Sequence, residues 1–288
     1  MKNPYKRMDI FRCKYSTHAK FNYKVSAYHV LRIKNCYPQG CLYFKWRCQL
    51  LNKGQSCSKG FQHVGKKCFG CKYYYDEKVN NQPELLISET EYQNYLDELE
   101  EFEDWLATIK GKYAEFWGII KSVKPLFLKI INSDKSFINL QGYLLRFDDV
   151  FLNRFHWKDH CYAVISADQQ QRYRFAPQDD LEFKCRIELD NGRLIFRKIR
   201  AVEFRVKSNE ETWTNSNALV AKGTATFFEN QAPKCLHCDK GVLIDVVDKS
   251  AAQWEKRREL YCLKSFSSPE VCYYKAEGLV EEVEEECA

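Results

Sequence analysis

Glycine and proline are scarce in this 288-residue chain, with 12 and 7 residues, which excludes collagen-like and low-complexity classes. No window reaches 18 uncharged apolar residues, so the sequence offers no membrane-spanning helix. The basic N-terminus is not followed by an apolar stretch, which argues against a secretory signal and for a cytoplasmic protein without a membrane partner. The common enzyme signatures are missing too: no phosphate-binding G-x4-G-K-[ST], no G-x-G-x2-G, no H-E-x2-H and no G-x-S-x-G. Acid is the most unevenly missing component. Residues 1–75 carry 16 Lys/Arg against one carboxylate, Asp9, for a balance of +15.

The rest of the chain does not repeat that balance. Residues 76–112 stand at −8, 113–233 at +3 and 234–288 at −4. A block at +15 is a strong field source whose natural partner is a polyanion, unless the acidic stretch after it folds back and neutralises it. With 45% hydrophobic and 29% charged residues, the chain has enough apolar surface for a packed core.

Charge breaks and periodicity divide the chain into four parts. Residues 1–80 read as a basic Cys-rich metal-binding module. Residues 81–112 read as a linker and an acidic amphipathic helix. The helix is signalled by the capping box Ser88-Glu89-Thr90-Glu91, followed by Tyr92, Tyr95, Leu96, Leu99, Phe102, Trp105, Leu106 and Ile109 at helical spacing. From 113 to 230 the period is two, with strands expected at 114–122, 126–131, 137–147, 161–166, 180–190, 193–206 and 218–228. Asp190-Asn191-Gly192-Arg193 marks a hairpin between two of them. Residues 231–288 hold a cysteine knuckle, a helical stretch at 251–260 and an acidic tail. The expected fold class is thus α+β and multidomain. A Cys-rich metal-bound N-terminal module and an amphipathic helix precede a small antiparallel OB-like β-barrel and a C-terminal four-cysteine knuckle segment. A two-sheet sandwich is the competitor for 113–230.

Fourteen cysteines carry the clearest chemistry. Cys235-Leu236-His237-Cys238-Asp239-Lys240-Gly241 is a C-x2-C-x2-G knuckle, and two thiolates on such a turn can hold one metal ion at about 2.3 Å each. Cys262 and Cys272 are the partners available to complete a tetrahedron. Cys68-Phe69-Gly70-Cys71 is a second knuckle, with two partners expected from Cys36, Cys41, Cys48 and Cys57. Zinc is the expected ion at both sites. An iron–sulfur cluster, which also takes four thiolates, is the alternative at the N-terminal one. Cys161 and Cys185 lie in strand patterns and read as small core residues.

The leading functional expectation is a metal-stabilised nucleic-acid-binding protein, with single strands or RNA preferred. Lys45, Arg47, Lys66, Lys67 and Lys72 in the basic module, and Arg193, Arg197 and Arg200 on a barrel hairpin, are the expected phosphate contacts. They are interleaved with aromatic rings able to stack on bases. Equally, the barrel arginines could sit in ion pairs with Glu182, Glu188 and Glu203. Two other readings stay open: an iron–sulfur redox or sensor protein docking an acidic partner, and a scaffold subunit that binds a protein through helix 88–110. His156-Trp157-Lys158-Asp159-His160-Cys161 is the one cluster that hints at catalysis, but no phosphate or oxyanion element lies near it in sequence, and no catalytic residue is assigned.

Overall fold

A computed structural model describes residues 1–133, 135–250 and 254–273; the acidic tail lies outside the described residues. The chain forms two compact units, Tyr5–Tyr95 and a second comprising Met1–Pro4 with Leu96–Ala288.

The first unit has little regular structure. Strands β1 (Phe11–Arg12), β2 (Lys24–Val25) and β5 (Glu84–Leu85) make a small antiparallel sheet in the order β2-β1-β5. Strands β3 (Cys41–Cys48) and β4 (Tyr74–Asn81) pair as a separate ribbon in full register, and a short helix α1 (Gln49–Asn52) follows β3. Ile10, Phe11, Val25, Ala27 and Val30 are buried. Phe11 packs its ring on Tyr37 and on Tyr92, from the start of helix α2 (Glu89–Ile109). The capping box forms: Ser88 Oγ accepts from the Glu91 amide, and the Ser88 amide donates to Glu91 Oε2.

The second unit is built on one sheet of eleven strands. These are β6 (Tyr113–Ile119), β7 (Ser122–Ile131), β8 (Ser136–Phe147), β9 (Val150–Leu152), β10 (Phe155–Trp157), β11 (Cys161–Ile165), β12 (Asp180–Asp190), β13 (Arg193–Val206), β14 (Thr226–Phe228), β15 (Gly241–Asp248) and β16 (Glu255–Cys262). Their order is β10-β9-β6-β12-β13-β11-β8-β7-β15-β16-β14. Three short helices, α3 (Ala167–Tyr173), α4 (Asn215–Thr224) and α5 (Pro233–His237), lie in the connections. One sheet face is dry. Phe116 stacks on Phe183 at 4.1 Å and meets the edges of Phe147 and Phe196, all four buried. The later turns of α2 pack here, with Phe102 and Trp105 against the buried Trp157.

This sheet overturns the expected small antiparallel OB-like barrel. It is open, with β10 and β14 at its edges, and mixed, because β11 runs parallel to β13 and β15 parallel to β7. Strands from 241–262 join those of 113–230 in the same sheet instead of forming a separate knuckle segment. Two local expectations also fail. Residues 215–224 are helical, leaving only Thr226–Phe228 of the strand expected at 218–228: Thr214 caps the helix by accepting from the Asn217 amide, and Ala218, Leu219, Ala221 and Lys222 are its good helix formers. Residues 255–260 form a strand, not a helix. Their charges are met across the ribbon by Asp245–Arg258 and Asp248–Arg257, and by Lys129–Glu259. The hairpin at 190–193 forms as read, with Asn191 and Gly192 both at positive φ (49° and 82°), the conformation of a type I′ turn. Among the described residues no helix is long and apolar enough to cross a membrane.

Candidate metal and nucleic-acid sites

The N-terminal unit gathers four of its thiols around one cavity of about 20 Å³, lined by Cys48, Cys57, Cys68 and Cys71, with His63 and Lys67 beside them. Each thiol is placed by a distinct local device. Cys48 ends β3. Cys68 and Cys71 flank a turn in which the Cys71 amide donates to the Cys68 carbonyl. Cys57 opens the turn Cys57-Ser58-Lys59-Gly60, closed by the Gly60 amide on the Cys57 carbonyl, with Gly60 at φ +73°. The Lys59 amide donates to Cys57 Sγ at 3.4 Å. The backbone amides of Lys59 and Phe61 hold the Cys57 thiol below its ordinary value, so it is the one most readily turned into thiolate. The sequence signal for this turn, a Cys followed three residues later by Gly, is the same as at Cys238 and was not read as a knuckle.

Cys36 and Cys41 are placed elsewhere, and do not line that cavity. Burial, reinforced by a hydrogen bond with Cys41 and by nearby Cys13, pushes the Cys36 thiol up to about 12. β3 therefore starts in one thiol group and ends in the other.

At the C-terminal knuckle, Cys235 and Cys262 share a buried cluster with Phe228 and Leu260. Burial raises the Cys235 thiol, and the neighbouring Cys238, Cys272 and Cys262 add to the shift, so all four cysteines lie within electrostatic reach. Gly241 pairs with Cys262 across β15–β16, and its amide donates to the Cys238 carbonyl. A Cβ at Gly241 would fall 1.9 Å from the Cys235 carbonyl oxygen, so only glycine lets the knuckle close this tightly. Gly241→Ala is expected to cost about 1–3 kcal/mol, the usual range for overpacking. Thermal unfolding checks this; an unchanged midpoint would mean the Cys235 carbonyl moves freely. Among the described residues no group of three or more Cys, His, Asp or Glu side chains is arranged to hold a metal ion as it stands. The N-terminal thiols line a space of about 20 Å³ without closing on one point.

The basic residues divide by setting. Lys66 and Lys67 sit on the short turn leading into Cys68. Lys45 lies over the Tyr43 ring and Lys72 over the Tyr73 ring. Arg47 donates to Glu77 at 2.7 Å. On the face of β3 opposite Lys45 and Arg47, Leu42, Phe44 and Trp46 are 61%, 62% and 43% exposed at alternate positions, the last two among the rings expected to stack on bases. Trp46 meets Phe69, itself 51% exposed, edge-on at 4.9 Å. Lys78 stands directly across from Phe44. On the sheet unit, by contrast, Arg193 pairs with Asp190, Arg197 with Glu188 and Arg205 with Glu182, while Arg200 lies over the Tyr113 ring.

The histidine cluster resolves into two pairs, His156 Nε2 with Asp149 at 2.5 Å and His160 Nδ1 with Asp148 at 2.8 Å. The hydrogen bond to the Asp148 carboxylate raises the His160 imidazole above its ordinary value against the opposing effect of burial. Cys161 next to it is fully buried, and burial pushes its thiol well up, which removes it as a nucleophile. Asp179 is buried and held by Lys207 and by the Ala176 and Ser208 amides, and Asp180 accepts from Trp117, so both are structural. No family model, curated protein or solved structure matches the chain.

Proposed function

We propose that this is a thiolate-metal protein whose N-terminal unit binds single-stranded nucleic acid. The observation that carries the reading is the exposed row Leu42, Phe44 and Trp46, extended by Phe69, on strand β3 of the +15 segment. Alternate residues on a strand are about 6.7 Å apart, a spacing that suits successive unstacked bases of an extended strand. Lysines around the row supply the sequence-independent attraction to phosphates.

The ribbon needs a fixed base, and the four-thiol cavity beneath it provides one. A volume of about 20 Å³ is that of a single water-sized sphere, which suits one ion and not a four-iron cluster. Four thiolates, two of them on the Cys68–Cys71 knuckle and a third on the Cys57 turn, favour zinc. The same argument assigns a second zinc to Cys235, Cys238, Cys262 and Cys272. A reducing compartment such as the cytoplasm suits a chain in which the thirteen described cysteines are all unpaired. The scaffold reading is less favoured, because Tyr92, Tyr95, Leu99, Phe102 and Leu106 of α2 are buried within the chain.

Binding of a fluorescent single-stranded oligonucleotide tests the reading. With about five phosphates neutralised, log K should fall with log[salt] at a slope near −3.5. Trp46→Ala and Phe44→Ala should each weaken binding about tenfold, since a stacked base is worth roughly 1–3 kcal/mol. Lys66→Glu with Lys67→Glu should make the slope shallower. No binding at low salt, or binding indifferent to both ring substitutions, would remove the proposal.

A further inference from the structure

The sheet unit contains a second feature that neither the thiols nor the exposed rings explain. Asp190, at the end of β12, accepts from Arg193 Nη2 and from Arg258 Nη2 of β16, each at 2.5 Å. In the sheet order β12 and β16 stand six places apart. The strands between them must therefore curl until the two ends meet across the concave face. They enclose a cavity of about 290 Å³.

Cations outnumber carboxylates in its lining: Lys124, Arg146, Arg193, Arg197 and Arg258 against Asp190 and Asp245, with His160 at the edge. Arg193 is paired with Asp190 and Arg197 with Glu188, and the other two engaged cations tie the walls together. Lys124 Nζ donates to the carbonyls of Leu236, Cys238 and Gly241, tying β7 to the knuckle. Arg258 spans Asp190 and Asp245.

The floor is different. Ser122 is paired directly with Arg146 across β7–β8, and Arg146 directly with Tyr162 across β8–β11. The Arg193 guanidinium lies 5.1 Å from the centre of the Tyr162 ring. Ser122, Arg146 and Tyr162 thus form one row across the sheet, with Ile195 as the next residue in it and Arg193 two positions along β13 on the same face. Ser122 is 2% exposed, and its hydroxyl has no hydrogen-bond partner among the described residues. The buried Nε atoms of Arg146 and Arg193 likewise have none. Arg146 Nε is 3.3 Å from Asp148, but not in hydrogen-bonding geometry. A buried hydroxyl and two buried guanidinium Nε–H groups without acceptors are a costly arrangement for a purely structural core; all three atoms are closed to solvent and meet a ligand in the cavity only when their side chains turn toward it.

We propose that this cavity is a binding site for a small phosphomonoester. A tetrahedral dianion carries acceptor oxygens in several directions at once, as donors on three different strands require, and guanidinium forks match phosphate oxygens well. The remaining wall is apolar, formed by Pro125, Leu126, Leu144, Val164 and Leu243, and receives the organic portion. The volume sits at the lower end of ordinary ligand pockets, which limits that portion to a small group.

Calorimetric titration of the full-length protein with inorganic phosphate, glycerol 3-phosphate and adenosine 5′-monophosphate tests the proposal. At least one ester should bind, and more tightly than inorganic phosphate, because only an ester uses the apolar wall. Ser122→Ala breaks no existing hydrogen bond, so its unfolding midpoint should equal that of the parent while ester affinity falls several-fold. Arg146→Lys keeps the charge but loses the fork, and should lower affinity about tenfold or more. Absence of binding by both esters up to about 10 mM, far weaker than any functional affinity, would overturn the proposal. So would affinity unchanged in both variants. Inorganic phosphate binding as tightly as the esters would overturn the ester assignment. A failure here leaves single-strand binding by the N-terminal unit untouched, since the two rest on different units.

Discussion

Stripping metal from the full-length protein with a strong chelator is expected to unfold the Tyr5–Tyr95 unit while leaving the large sheet intact. The unit has a three-stranded sheet of two-residue strands and one isolated ribbon, with a core centred on Phe11, Tyr37 and Tyr92. The segment 49–73, which carries three of the four thiols, has one four-residue helix and one three-residue turn as its regular structure. Little apolar burial holds it. A structural zinc site contributes apparent binding free energy on the order of 10 kcal/mol or more, and in small modules that is folding free energy. Cys68→Ser and Cys57→Ser should each reduce the metal content by one equivalent and abolish the oligonucleotide binding of the ribbon, because its base would no longer be fixed. Cys161→Ser and Cys185→Ser should leave metal content unchanged, since both thiols are buried in the sheet core. Elemental analysis with near-ultraviolet circular dichroism reads the result. Protein that purifies metal-free with its N-terminal unit fully ordered would contradict the thiolate-metal reading.

What was legible in the sequence divides by range of interaction. Helix 89–109 and the longer strands of 113–206 were readable because each buries one face, so spacing alone reports it: β6 alternates through buried Ala114 and Phe116, and β12 through Leu181, Phe183, Cys185 and Ile187. The three-residue strands β9 and β10, too short to show a period, fall where no strand was expected. The Asn191-Gly192 turn was readable because its geometry demands those residues. Sheet order was not. Whether β7 pairs with β15 is decided by contacts such as Asp245 opposite Leu128, and no local pattern encodes a partner more than a hundred residues away. β16 was read as a helix because Glu255, Lys256, Arg257, Arg258 and Glu259 are good helix formers. Cross-strand ion pairs with Asp245, Asp248 and Lys129 outweigh that propensity. The cysteine spacings identified the two knuckles but not their surroundings. That Cys48 and Cys57 share a cavity with Cys68 and Cys71, while Cys36 and Cys41 turn toward Cys13, follows from the path of β3 and β4. The phosphomonoester cavity was invisible to any reading along the chain, since its lining comes from seven strands and its cations each look like ordinary surface charges in sequence.

Phe116→Ala should be the most damaging single substitution in the sheet core. Phe116 lies on β6, next to β12 on one side and β9 on the other, directly across from Phe183 and from Leu152. Its ring stacks on Phe183 at 4.1 Å and meets Phe147 and Phe196 at 4.7 and 5.1 Å, and it is 2% exposed. Those partners come from β12, β8 and β13, so this one side chain is a hub for strands far apart in the sequence. Truncation removes the transfer free energy of the ring and leaves a cavity that three other aromatic rings, fixed by their own strands, cannot collapse into. The expected cost is about 3–5 kcal/mol. That is a large share of the roughly 5–15 kcal/mol by which a domain is usually stable. Phe116→Leu, which refills much of the volume, should recover part of the loss. Chemical denaturation followed by tryptophan fluorescence, with Trp157 and Trp117 as reporters in the same unit, measures both variants. A loss below about 1 kcal/mol for the alanine variant would mean the four rings repack freely. The aromatic cluster would then not be what joins β6, β8, β12 and β13 into one sheet.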